Sequence, residues 1–266
     1  MAMKRVVLGL QYDGSPWQGW QTQSGGRTVQ DQLEAALQKF SCVPVQTHCA
    51  GRTDAGVHAL AQVVHFDTTV IRDAVAWVRG VNAFLPSSIA VRWATEVPAL
   101  SPDGFHARFS ARARTYFYVL YNHRVRAPLL EGRVGWVFRP LDLDAMRQAA
   151  DAVAGTHDFS AFRSMQCQAK SPVKTLRRIE IVQCADFVTL RFEANAFLHH
   201  MVRNLVGSLV QVGKGRASPA WLAEVLASGE RHRAAPTFSP DGLYLAKIDY
   251  DAAWGLPQEE MPALPF

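Results

Sequence analysis

The residues best suited to chemistry lie between Cys49 and His65, a stretch that reads CAGRTDAGVHALAQVVH. At its centre, Gly51-Arg52-Thr53-Asp54-Ala55-Gly56 sets a carboxylate two residues after a guanidinium, with glycine on both sides. Glycine lets another backbone or a ligand come close and takes backbone angles that other residues resist. Asp54 is therefore placed for close approach, although Asp-Ala-Gly between two strands also makes an ordinary solvated turn. A carboxylate that acts as a nucleophile must stay ionised at neutral pH while shielded from water. Burial raises its pKa, and a close arginine lowers it by roughly 1–3 units. Arg203 is a candidate for that arginine. It projects from an apolar helical stretch, Phe197 to Val212, and an arginine buried there needs a carboxylate, either within its own half of the chain or at Asp54.

Two other motifs fail on spacing. Gly207 to Gly215 (GSLVQVGKG) has a glycine where a phosphate-binding loop carries Ser or Thr, and it ends a helical pattern instead of preceding one. His199 and His200 are adjacent, not four apart, so they do not offer two ligands on one helical face. Neither a nucleotide site nor a metal site is expected.

The elements that must position Asp54 and Arg203 follow from periodicity. Lys4–Tyr12 reads as a strand, Asp13–Pro16 as a turn, and Thr28 caps a helix running to about Phe40. Val43–Cys49 and Leu60–Phe66 are strand-like and joined by the Asp54 loop; a helix near 71–84 and a strand over 89–97 follow. A second series begins at Ala113–Tyr121. It continues with a helix over 143–154, a hairpin of 175–184 with 187–194, the 197–212 helix, a helix capped by Ser218 and a strand over 243–250. The order βαββαβ thus occurs twice, with one extra helix, and predicts an α+β protein of two ferredoxin-like halves, 1–104 and 105–266. Two such antiparallel sheets sharing an edge would flank a central cleft.

Several segments resemble the TruA type of tRNA pseudouridine synthases: GRTDAGVHA (51–59), YDGSPWQGWQ (12–21), ARTYFY (113–118), HHMVRN (199–204) and GLYL (242–245). Trp17 stands where that family has Phe or Tyr. The resemblance implies the pseudouridine synthase fold, Asp54 as nucleophile and Arg203 as its partner. It also implies Tyr116 packing on the target base and Leu245 as an apolar contact nearby. Arg52 suits a cation beside the nucleophile, and His58 reads as an RNA contact or a support for the loop. The implied substrate is a uridine at positions 38–40 of the tRNA anticodon arm, extruded from its stack at a cost of a few kcal/mol. The implied assembly is a homodimer. Attack by Asp54 on ribose carbon-1′ or uracil carbon-6 releases the base, which turns, rejoins through carbon-5 and loses a proton. No cofactor is consumed. Rival readings are a non-catalytic RNA-binding or chaperone protein of the same fold, and a synthase with another RNA target.

The whole chain is compatible with this. Its 266 residues are 48% hydrophobic and 19% charged, as in ordinary globular proteins. No apolar run approaches the ~18 residues of a membrane span, and Met1 to Arg5 leads into a strand, not a signal peptide, so a cytoplasmic location is expected. The cysteines (Cys42, Cys49, Cys167, Cys184) lack zinc spacing and read as reduced, partly buried thiols. The net charge is +5, and its distribution is uneven: Gly104–Arg139 holds seven arginines and one acid, and Phe159–Ile179 holds five basic residues and no acid. Aromatic residues are interleaved with both, a pattern that suits phosphates and unpaired bases, although a basic solvated face has the same composition.

Overall fold

The computed structural model describes residues 3–97, 104–257 and 264; Met1 and Ala2, read above as the approach to the first strand, lie outside them. The chain forms two compact units, residues 1–112 with 245–266 and residues 113–244.

In the first unit the elements are β1 (Lys4–Tyr12), α1 (Val29–Ser41), β2 (His48–Cys49), β3 (His58–Thr68), α2 (Ala74–Asn82) and β4 (Ile89–Val97). The strands lie in the order β4-β1-β3-β2, every neighbour antiparallel, which is the split-βαβ arrangement. Thr28 and Asp31 form a reciprocal capping box at the start of α1, and Val29, Leu33, Ala36 and Leu37 bury its inner stripe. The strand expected over 43–49 shrinks to His48–Cys49. Pro44 cannot donate to a ladder, and the backbone N–H and hydroxyl of Thr47 are both taken by Glu34 Oε1 at 2.8 Å. Helix α2 is likewise shorter than expected. Asp73 caps it through the Ala76 N–H, and at its end the Asn82 side chain turns to the backbone of Val91.

The second unit holds β5 (Ala113–Asn122), β6 (Gly135–Val137), α3 (Leu143–Asp151), β7 (Gly155–Asp158), β8 (Val173–Cys184), β9 (Phe187–Ala194), α4 (Met201–Gly213) and α5 (Pro219–Ser228). Strand β10 (Leu243–Asp249) then carries the chain back into the first unit. The sheet runs β5-β9-β8-β7, antiparallel throughout, with β6 added parallel to β5. The expected repeat is there as β5-α3-β8-β9-α4-β10, and β6 and β7 are short additions that periodicity did not reveal. From Ala113 to Leu120 every residue of β5 is buried, which is why its sequence is continuous and not alternating. Among the described residues no helix is long and apolar enough to cross a membrane.

One correction concerns the segment that bears Arg203. Helix α4 begins at Met201, not Phe197, because His200 sits in the left-handed region at φ 65°. The preceding residues instead form a turn, closed by the Met201 N–H on Leu198 O. A left-handed non-glycine residue cannot continue a right-handed helix.

Candidate active site

The loop carrying Asp54 links β2 to β3, and backbone bonds and neighbouring side chains help to hold it. Trp20 N–H donates to Thr53 O at 3.0 Å, and Val57 N–H donates to Asp54 O at 3.1 Å. The Thr53 hydroxyl meets Tyr12 Oη at 2.8 Å beneath the loop. Gln62, wholly buried on β3, donates to Gly51 O at 2.6 Å and accepts from its N–H. Two glycines outside the loop make room for it. A Cβ on Gly14 would lie 2.0 Å from Val57 O, and one on Gly19, at φ 84°, would lie 2.7 Å from Thr53 O. The result is a turn whose flanking Thr53 and Val57 are buried while Asp54 is half-buried and Arg52 is exposed.

His58 is 3% exposed, at the first position of β3. Its Nδ1 accepts from Gly14 N–H at 3.1 Å and lies 3.2 Å from Asp13 Oδ1, an ion pair available only to the protonated ring. The ring fastens the Asp13–Gly14 turn to the start of β3. Leu245, on β10 in the same unit, is fully buried.

The remaining candidates lie in the second unit. Tyr116 is 8% exposed on β5, and its ring meets Phe197 edge to face, with centroids 5.0 Å apart and planes at 83°. Arg203 is half-buried in the first turn of α4. Its Nε donates to Phe238 O at 2.9 Å, and its backbone carbonyl accepts from Phe238 N–H at 3.3 Å. One edge of the guanidinium is thus set by the neutral Phe238 carbonyl. His199 and His200, whose rings are 4.0 Å apart, precede the helix and do not lie on its face.

Several basic residues turn out to be committed. Arg177 pairs with Glu193 at 3.1 Å and Arg178 with Glu180 at 2.9 Å, both acids lying outside the acid-free run that sequence reading singled out. Arg163 caps the carbonyls of Cys167 and Ala169, and Arg112 is bonded to Asp251. Arg124 and Arg126, by contrast, are exposed. The four cysteines are free thiols, with Cys42 and Cys184 exposed instead of partly buried.

Residues 10–110 and 149–251 match the family model described as tRNA pseudouridine synthase. The chain belongs to that family. It is 67% identical to tRNA pseudouridine synthase A of Herminiimonas arsenicoxydans, over 97% of this chain and 94% of the relative. It is 66% identical to the protein of that name from Janthinobacterium sp. (strain Marseille), over 97% of this chain and 96% of the relative. Against the protein from Paraburkholderia phymatum it is 58% identical over 99% and 97%. Asp54, Arg203 and Leu245 fall inside the segments matched to the synthase family, and Tyr116 falls in the stretch between them.

Sequence reading passes over polar side chains that form hydrogen bonds around these residues: Tyr12, Thr53 and Gln62 in the first unit, and Asn204 and Thr237 in the second. A signal was present. Gln62 interrupts an apolar strand and Asn204 an apolar helix, and a buried polar side chain needs named partners.

Proposed function

We propose that the chain isomerises uridine to pseudouridine in tRNA, with Asp54 as the nucleophile. The observation that carries this is the fixed GRTDAGVHA turn, which buries its neighbours and leaves one carboxylate half-buried, in a member of the tRNA pseudouridine synthase family. The target uridines are those at positions 38–40 of the anticodon arm. Arg203 keeps the carboxylate ionised, Tyr116 packs on the extruded base, Leu245 supplies an apolar contact, and Arg52 and His58 act beside the nucleophile, His58 through the loop. No redox step or external group is needed, because the product has the same atoms as the substrate. The active form is a homodimer, a reading supported by the exposed apolar side chains Val125, Leu129, Trp136 and Phe138. The protein works in the cytoplasm, with its tRNA.

The test is a single-turnover assay that follows release of the carbon-5 proton from unmodified tRNA labelled there with tritium. The native chain should release label, and Asp54→Asn should release none while binding tRNA within about threefold, since one lost carboxylate removes no phosphate contact. Substantial turnover by Asp54→Asn would sink the assignment.

A further inference from the structure

We propose that Asn204 is a positioning residue for this reaction, acting through Arg203. Asn204 is completely buried in α4, one residue after the arginine. Its amide nitrogen donates to Phe162 O at 2.8 Å. Its amide oxygen accepts from the Thr237 hydroxyl at 2.7 Å and from Arg231 Nη2 at 3.0 Å. Arg231 also donates to Ala235 O at 2.9 Å and to the Thr237 hydroxyl at 3.2 Å. One turn further on, Ser208 Oγ accepts from Ala235 N–H at 3.3 Å. The segment from Ala234 to Phe238 is thereby strapped along the helix. The packing leaves it no slack: a Cβ on Gly207 would lie 2.4 Å from Pro236 O.

The strap ends at Phe238, whose carbonyl receives Arg203 Nε. Asn204 therefore sets the position of Thr237, Thr237 sets its neighbour Phe238, and the Phe238 carbonyl sets the plane of the guanidinium. An apolar pair would bury as well, but it would not fix the register of one carbonyl against one helix turn. Displacement of a reacting group's partner by about 1 Å costs on the order of a hundredfold in rate. This inference rests on the role given to Arg203 above.

The experiment uses Thr237→Val, which removes the hydroxyl at nearly constant volume, beside Asn204→Ala, with each change also made in an Arg203→Lys chain. Single-turnover rate and tRNA affinity are measured for all, with thermal midpoints to confirm folding. Thr237→Val and Asn204→Ala should each slow turnover by about ten- to a hundredfold and leave affinity within about threefold. In the Arg203→Lys chain, which lacks Nε, the same changes should cost less than about twofold more, because the group they aim is gone. Full turnover by folded Thr237→Val, or equal losses in both backgrounds, would overturn the proposal. Full turnover by Arg203→Lys would instead remove the role of Arg203 itself. Should Asn204→Ala not fold, Thr237→Val decides alone.

Discussion

At the scale of single residues, the histidines divide by what their Nδ1 atoms accept. His65 is 2% exposed, and its Nδ1 accepts from Ala107 N–H at 3.2 Å; His106 Nδ1 accepts from Arg108 N–H at 3.1 Å. Both rings must be neutral to do so. Burial first, then the repulsion a protonated ring would meet from Arg5 and from His106 and His48 once they too are charged, hold His65 at a pKa of about 3, and burial first of all lowers His106. The unfolded chain protonates His65 near 6.5, so between that pH and about 3 it binds more protons than the folded one. Stability should therefore fall as pH drops through this window, by about 1.4 kcal/mol per pH unit for one such group. His65→Asn, which keeps an acceptor in place without a titrating ring, should flatten the dependence. Urea midpoints between about pH 8 and about pH 5 measure it, and an unchanged slope would exclude His65 as its source. The sequence marked Asp54, Arg52 and His58 as candidates through their turn and its family resemblance. It could not expose His65 as a neutral acceptor, because only the fold brings His48 and His106 beside it.

At the scale of elements, the Asp54 turn depends on glycines distant from it in sequence. Gly19→Ala would place a methyl group against Thr53 O at a positive φ, whereas Gly26→Ala, at φ 62°, would meet nothing within 4 Å. Both substitutions carry the backbone penalty of about 1–2 kcal/mol. The first adds an overpacking cost of about 1–3 kcal/mol and shifts the loop itself. Thermal midpoints should fall further for Gly19→Ala, and turnover should fall for that variant alone; equal turnover in the two would show that the loop adjusts freely. Periodicity placed α1 and the body of α4 well, since each buries one apolar stripe. It missed where α4 starts because the left-handed angle at His200 leaves no mark on hydrophobic spacing. It overextended β2 for the same kind of reason, the decisive contact being Glu34 on Thr47.

At the scale of the molecule, charge is the property that RNA meets first. If the basic segments engage tRNA, affinity should fall steeply with salt, each phosphate contact contributing about 0.7–0.9 of log–log slope. The basic residues of those segments are not equivalent. Arg126 is exposed, whereas Lys174 Nζ already donates to Ser171 O at 2.6 Å and Val173 O at 2.8 Å. Arg126→Gln should flatten the salt dependence by nearly one contact and Lys174→Gln by less; equal slopes in both and in the native chain would put the RNA elsewhere. Composition revealed the excess of arginine but not which members were already taken, because their partners Glu193 and Asp251 come from other elements. The twofold βαββαβ order was legible in the sequence, and β10 gives that order a further meaning. The first unit includes residues from 245 onward: Arg112 N–H bonds Asp249 O at 2.8 Å, Tyr250 Oη donates to Ala107 O at 2.6 Å, and Phe105 touches both Tyr250 and Trp254. A ribosome makes those residues only after the entire second unit has been synthesised. The unit that holds Asp54 is thus left unfinished through most of translation, and a chain released early carries the Asp54 turn in a unit that lacks its last strand.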